Sequence, residues 1–281
     1  MSEKNQYSEL KPGQSIELLK ELHILTRDGK MNQDSRRKLK QVYHLYHFIE
    51  PLLKDIEGNN KSIHLVDHGA GKSYLGFIIY DLFFKNLKID HHLYGIETRS
   101  ELIKKSHDLA HQLQFSNMSF LNLSVAESII SDQLPQKIDI ITALHACDTA
   151  TDDAIQFALK RKAKHIVLVP CCQAEVASVL RKNKSKTLHK PLVEIWRHAL
   201  HTREFGSHLT NVLRCLQLEA CGYDVTVTEL VGFEHSMKNE LIIASLHNNP
   251  DKNHQVRKAK QRISEILTEL NLQELSQRFT V

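Results

Sequence analysis

His64-Leu65-Val66-Asp67-His68-Gly69-Ala70-Gly71-Lys72-Ser73-Tyr74-Leu75-Gly76-Phe77 is the stretch whose reading decides the fold. A phosphate-binding P-loop has the spacing G-x-x-x-x-G-K-[ST], in which two glycines bracket a loop whose N–H groups wrap the phosphates of a nucleotide. Gly71-Lys72-Ser73 supplies the end of that pattern, but its first glycine position is held by Val66. Val66 instead closes an apolar run, Ile63 to Val66, that reads as a buried strand ending in Asp67. The connection from Asp67 to Gly71 is short, with glycines only at 69 and 71. Apolar residues then recur at Tyr74, Leu75, Ile78, Ile79 and Leu82, a helical period. Strand, D-x-G-x-G turn and helix starting near Lys72 form a Rossmann-like unit, whose glycines allow positive φ and whose helix start aims N–H groups at a ligand.

A second apolar run, His92 to Ile96, ends in Glu97. A carboxylate at the tip of the second strand can accept both hydroxyls of a ribose lying across the strand ends. Glu97 is the ribose candidate.

Further along, strands are expected at 63–67, 92–96, 118–123, 138–144, 165–169, 225–231 and 240–246, with helices at 72–85, 99–115, 150–161 and 204–221. That alternation predicts an α/β fold, a Rossmann-like seven-stranded mostly parallel sheet covered on both faces. The last two strands leave no room for a crossover helix, so they form a terminal antiparallel hairpin at the sheet edge. Residues 1–60 read as a helical N-terminal extension, with helices over Ile16 to Leu22 and from Asp34-Ser35 to Leu53. Residues 61–248 carry the sheet, and 249–281 form a C-terminal helical tail. A chain of 281 residues with 41% hydrophobic content can bury one sizeable core and accessory helices. No apolar run approaches the ~20 residues of a membrane span, and the first residues lack a signal-peptide pattern. The odd set Cys147, Cys171, Cys172, Cys215 and Cys221 suits a reducing compartment. The expected location is cytoplasmic, with no membrane partner.

Two further segments, Leu144-His145-Ala146-Cys147-Asp148-Thr149-Ala150-Thr151-Asp152 and Val169-Pro170-Cys171-Cys172-Gln173, join the turn and the strand-tip acid in a pattern. Over roughly residues 60 to 248 the chain resembles the class I S-adenosylmethionine-dependent methyltransferases. Within that class it is similar to a subgroup with H-A/L-C-G-x-x-T-D and P-C-C segments. The subgroup includes the methyltransferase-like 25 proteins, the glutathione S-transferase C-terminal-domain-containing proteins and a group of tRNA 2′-O-methyltransferases. The resemblance implies S-adenosyl-L-methionine as cofactor. Asp67, Gly69, Ala70, Gly71 and Glu97 form its expected site, with Val125 and Ala126 beyond the third strand and Leu144 at the end of the fourth. Two positions depart from the pattern. Asp148 stands where glycine is usual, and Gln173 where an aromatic residue or histidine often follows the cysteines.

In a doubly wound sheet the ligand lies outside the carboxyl ends of the strands. His145 to Asp148 follow the fourth strand and Pro170 to Gln173 the fifth, so both segments converge on the cofactor's reactive end. Methyl transfer from a sulfonium needs in-line positioning and, for a weak nucleophile, a base. His145 and Asp148 are the catalytic candidates, as base or as orienting groups. Asp148 is equally placed to cap the following helix. Pro170, Cys171, Cys172 and Gln173 are assigned to the substrate. A zinc set of His145, Cys147, Cys171 and Cys172 lacks the C-x₂₋₄-C spacing of structural sites, so no metal is expected.

Net charge is only +4, yet residues 160 to 190 carry Lys160, Arg161, Lys162, Lys164, Arg181, Lys182, Lys184, Lys186 and Lys190 against one acid, Glu175. The run is either a solvated loop or a field for an anionic substrate beside Pro170 to Gln173. Arg181, Lys182, Lys184 and Lys186 are the residues placed against RNA, a tRNA or rRNA. Another basic stretch interleaved with aromatics, Arg36 to Phe48, reads either as a surface for a nucleic-acid backbone or, the favoured reading, as an amphipathic helix packing Leu39, Val42, Tyr46 and Phe48 on the core. The expected function is S-adenosylmethionine-dependent methylation, with RNA as the leading substrate. The alternatives are a protein side chain, a small molecule, or a non-catalytic module on the same fold.

Overall fold

The apolar runs pair into one sheet built from β1 (Ser62–His68), β2 (Asp90–Glu97), β3 (Met118–Asn122), β4 (Ile140–Ala143), β5 (His165–Leu168), β6 (Tyr223–Glu229) and β7 (Glu240–Leu246). The structure, a computed structural model, describes residues 9–59, 62–144, 148–170, 173–183, 191–230, 240–247 and 253–280. Strand order is β3-β2-β1-β4-β5-β7-β6. β1 to β5 are parallel, while β7 is antiparallel to both β5 and β6. This is the doubly wound order with one reversed strand inserted before the last. The register sets Asp67 beside Gly95 on β2 and Thr142 on β4, so the strand tips finish level.

Alternation along each strand separates two cores. Ile63, Leu65, Leu93, Phe120, Ile140 and Val167 face one side, and Val66, Ile96, Ile141, Ala143, Ile166 and Leu168 the other. Apolar residues on both faces are what a parallel sheet covered by helices requires. The first face is covered by α1 (Ile16–Glu21), α2 (Gln33–Asn59), α3 (Tyr74–Leu82) and α4 (Ser100–Gln112). α2 buries Leu39, Leu45, Tyr46, Ile49, Leu53 and Ile56. Val42 and Phe48 pack partly buried against the same cluster, so the helix over Arg36 to Phe48 is amphipathic as read. Its start is capped by Asn32, whose Oδ1 accepts from the Ser35 N–H at 2.8 Å. The second face is covered by α5 (Val125–Ser128), α6 (Thr149–Arg161) and part of α8 (Ala199–Ala220). The outer side of α8 packs with α7 (Glu175–Lys182), α9 (Asn253–Glu269) and α10 (Ser276–Phe279) in a third cluster around Leu213, Ile263 and Phe279.

Several helix boundaries differ from the sequence reading. α3 begins at Tyr74 because Ser73 is left-handed, at φ 53° and ψ 32°. α8 begins five residues before 204. Leu200 there is more than half exposed, so the apolar period does not report that turn. Arg181 and Lys182, read as loop, form the last turn of α7, which buries Val176, Ala177, Val179 and Leu180. Eight residues are too few for a period to stand out within a basic segment.

Candidate functional site

The carboxyl ends of the parallel strands, with residues of α2, α3 and α6, enclose a cavity of about 770 Å³. Asp67, Gly69, Ala70 and Gly71 reach it from the end of β1, Glu97 from β2, Val125 and Ala126 from the start of α5, and Leu144 from beyond β4. The eight residues expected at the cofactor thus line one space, at the position where strand order reverses between β1 and β4.

Gly69 and Gly71 have φ of +65° and +58°, so the turn follows a left-handed path that side chains with a Cβ resist. That path brings the Gly71 N–H to Glu97 Oε2 at 2.9 Å. Arg99 grips the same carboxylate through Nε on Oε1 and Nη2 on Oε2, each at 3.0 Å. The guanidinium, and then the backbone N–H groups, hold the Glu97 carboxyl down to about 2, so it is a carboxylate at any ordinary pH. Asp67 is the opposite case. It is buried, its Oδ1 accepts from the Thr142 hydroxyl at 2.6 Å, and desolvation pushes its carboxyl up to about 7. Beneath it, His68 is fully buried against Phe157, with rings at 4.8 Å, and its Nε2 lies 3.0 Å from Ser128 Oγ. Burial lowers that imidazole to about 3, so it is a neutral prop under the strand tip.

Asp148 takes φ 50° and ψ −120°, where glycine is at home. It is the N-cap residue of α6, but its side chain makes no capping bond there. Oδ1 instead accepts from the Ala174 N–H at 3.0 Å, tying the segment after β4 to the one after β5. Gln173 is buried, accepting from Ser207 Oγ at 2.8 Å and donating to Asn211 Oδ1 at 2.9 Å. Asn211 donates to Glu240 at 2.7 Å. Arg214, wholly buried on α8, donates to both Asp152 oxygens at 2.7 and 2.8 Å, and to the Asp148 carbonyl at 2.8 Å. Pro170 is buried just past β5. His145, Cys147, Cys171, Cys172, Lys184, Lys186 and Lys190 lie outside the described residues.

Among the described residues the basic run is divided between two places. Lys160, Arg161, Lys162 and Lys164 precede β5 and therefore sit at the amino end of the sheet, away from the cavity. Arg161 is buried and donates to the Ser131 carbonyl, and Lys164 pairs with Asp55 at 2.7 Å. Arg181 is exposed on α7, and Lys182 lies 3.2 Å from Glu274. Among the described residues no group of His, Cys, Asp and Glu is set to hold a metal. Among them, too, no helix is long and apolar enough to cross a membrane.

The sequence reading missed the roof of the cavity. Lys38, Gln41, Val42 and Leu45 form one stripe of α2 at helical spacing and line it, with Ile24 ahead of that helix. The stripe was legible, but not what it would face. Thr149, Ala150 and Asp153 on α6, and Thr98 and Arg99 beside Glu97, complete the lining.

A doubly wound sheet with a reversed strand before its last, and a cavity over its glycine turn and strand-tip acid, defines a class I S-adenosylmethionine-dependent methyltransferase domain. A family model described as a methyltransferase domain matches residues 37–179, just over half of the chain, and the chain belongs to that family. It is 24% identical over 239 residues to the human glutathione S-transferase C-terminal domain-containing protein, covering 78% of this chain and 35% of that one. A homolog of that protein from Drosophila pseudoobscura pseudoobscura is 24% identical over 176 residues, covering 53% of this chain and 28% of its own. The chain thus spans about a third of the length of these relatives. Among solved structures, magnesium protoporphyrin IX methyltransferase from Synechocystis PCC 6803 with bound SAH superposes at a TM-score of 0.47 and 13% identity, covering 82% of this chain and 94% of that one.

The lining fits the cofactor of the class. Its volume lies within the roughly 300–1,000 Å³ of small-molecule sites. Val42, Leu45, Leu75, Ile96, Leu123, Val125 and Leu144 give an apolar wall for a heterocycle. Glu97 is an ionised acceptor for hydroxyls, and Asp67 carries acceptor positions that Thr142 alone does not fill.

Proposed function

We propose that this chain transfers the methyl group of S-adenosylmethionine to RNA, with catalysis assigned to residues 61–248 and helical flanks at 1–60 and 249–281. The observation that carries the reading is the convergence of residues from four strand tips on one cavity. Bound there, the cofactor supplies an electrophilic methyl group on a sulfonium. Glu97 accepts the ribose hydroxyls, Gly69 to Gly71 let the backbone come close, and Val125, Ala126 and Leu144 flank the heterocycle. Asp67, ionised as a cationic ligand arrives, faces the amino-acid end. α2, as the roof of the cavity, keeps water from the reacting groups. His145 takes a proton from the acceptor. Asp148, through Ala174, sets the spacing between its own segment and Pro170 to Gln173, where the acceptor enters.

RNA is favoured by exposed cations that make no ion pair among the described residues: Arg181 on α7, and Arg257, Lys258, Lys260 and Arg262 on α9. Phosphate contacts of this kind position a nucleic acid without specifying its sequence. The test is transfer of label from tritiated S-adenosylmethionine to cell extract depleted of endogenous methylation, fractionated into RNA, protein and small molecules. Label in RNA supports the reading. Label confined to another fraction moves the substrate there, and no label in any fraction with intact cofactor binding leaves a binding module.

A further inference from the structure

Glu97 is saturated by its own chain. Its Oε1 accepts from the backbone N–H groups of Thr98 and Arg99 at 3.0 and 3.1 Å, from the Thr98 hydroxyl at 3.3 Å, and from Arg99 Nε at 3.0 Å. Oε2 accepts from the Gly71 N–H at 2.9 Å and from Arg99 Nη2 at 3.0 Å. An ionised carboxylate offers about four acceptor positions, so an incoming hydroxyl finds none free while every donor stays. The donors are not equally able to leave. Three are backbone N–H groups fixed by the β2 tip and the glycine turn. The Arg99 side chain is 59% exposed while its partner is 7% exposed, so the guanidinium can return to water and the carboxylate cannot. It also lines the cavity itself. A Cβ on Gly71 would lie 3.7 Å from Nη2, so the guanidinium rests across the turn that a ligand must approach.

We propose that Arg99 is a latch on the Glu97 subsite. A ligand takes the carboxylate by displacing the guanidinium, with the long Thr98 hydroxyl contact turning away beside it, and two adjacent hydroxyls replace both arms of the fork. The inference rests on the reading of Glu97 as the acceptor for the cofactor's ribose. The latch costs affinity and adds selectivity. A fork-to-carboxylate contact is displaced evenly by a vicinal diol, whereas a single hydroxyl leaves one oxygen to the arginine. Lysine at this position holds the carboxylate as a single point charge and is a weaker latch.

Calorimetric titration with S-adenosylhomocysteine, and with its 2′-deoxy analogue, tests this on the full chain as wild type, Arg99→Ala, Arg99→Lys and Glu97→Gln. Arg99→Ala should tighten S-adenosylhomocysteine binding about three- to tenfold, the strength of a partly exposed forked pair. Arg99→Lys should fall between, and the preference for the ribose over the deoxyribose ligand should shrink in Arg99→Ala. Unchanged or weaker binding by Arg99→Ala, while Glu97→Gln weakens it, overturns the latch and leaves the cofactor reading standing. Unchanged binding by Glu97→Gln overturns the cofactor reading, and the latch with it. Thermal melting of each variant shows whether an effect belongs to the site or to the fold.

Discussion

Asp67 is held where ionisation is costly, and this gives a pH signature. Burial raises its carboxyl to about 7, far above an unfolded aspartate, and the Thr142 hydroxyl offsets only part of that. An acid with a raised folded pKa contributes stability that is fully present below its unfolded value, near pH 4, and is lost as pH rises through about 7. Asp67→Asn, which stays neutral, should match the wild type below about pH 4 and exceed it above pH 7 by up to roughly 4 kcal/mol. Urea denaturation across that range gives the difference curve, and parallel profiles would show that Asp67 ionises freely. Asp148 stores a different cost. Its φ of 50° with ψ of −120° is worth roughly 1–3 kcal/mol of backbone strain in a residue with a Cβ. Asp148→Gly relieves that strain and loses the bond to Ala174, worth about 1 kcal/mol. Asp148→Ala loses the bond and keeps the strain. The glycine variant should therefore be the more stable of the two by about 1–3 kcal/mol, and equal denaturation midpoints would remove the strain argument. Glycine is also the usual residue in the pattern this segment resembles, so the aspartate keeps its bond to the Ala174 N–H at the expense of backbone comfort.

Arg214 joins elements distant in sequence: α8 carries it, α6 supplies Asp152, and the segment entering α6 supplies the Asp148 carbonyl. Both charges are buried, so removing one leaves the other without compensation. Arg214→Met should cost about 3–5 kcal/mol in chemical denaturation, and adding Asp152→Ala should recover part of the loss. Additive losses would show the two side chains acting independently. This scale also shows where the sequence was legible. Strands announced themselves through runs such as Ile63 to Val66 and Leu241 to Ala244, and the missing crossover before β7 fixed its reversed direction. α7 stayed hidden because two turns of helix within Lys- and Arg-rich sequence carry too little period. The eight residues expected at the cofactor line one cavity because strand order places strand tips together. The α2 roof was not legible, since Lys38, Gln41, Val42 and Leu45 look alike whether they face a cavity or a neighbouring helix. Nor was the grip of Arg99 on Glu97, because a residue two positions past a strand tip has no fixed direction until the turn is built.

Across the molecule, α1, α4, α6 and α7 each carry an acid in the first turn and a base in the last, as a helix prefers, and α9 departs from that layout. α9 carries Arg257, Lys258, Lys260 and Arg262 around its middle and Glu265 and Glu269 near its end, with no acid in its first turn and no base in its last. A helix macrodipole favours the reverse, so helix stability does not account for the arrangement. The four cations are exposed and make no ion pair among the described residues. β7 runs back from the strand tips, and Leu246 donates to the Lys164 carbonyl at 2.8 Å. Lys260 on α9 acts on Cys221, just ahead of β6, so this part of α9 also lies at the amino end of the sheet, with Lys160 and Lys162. The cavity opens at the other end, so one substrate touching both must be long, as an RNA is and a metabolite is not. If three or four of the α9 cations neutralise phosphates, log affinity should fall against log salt with a slope contribution of about −2 to −4. Replacing Arg257, Lys258, Lys260 and Arg262 with Gln should remove that contribution and leave S-adenosylhomocysteine affinity unchanged. A second variant with Gln at Arg181, Lys182, Lys184 and Lys186 asks the same of the basic stretch that follows β5 in sequence. Binding of a folded tRNA by filter retention at several salt concentrations separates the cases. A reduced slope in either variant places phosphates on that surface, while wild-type slopes in both would make these cations a solvated face and give a protein or small-molecule acceptor the stronger claim.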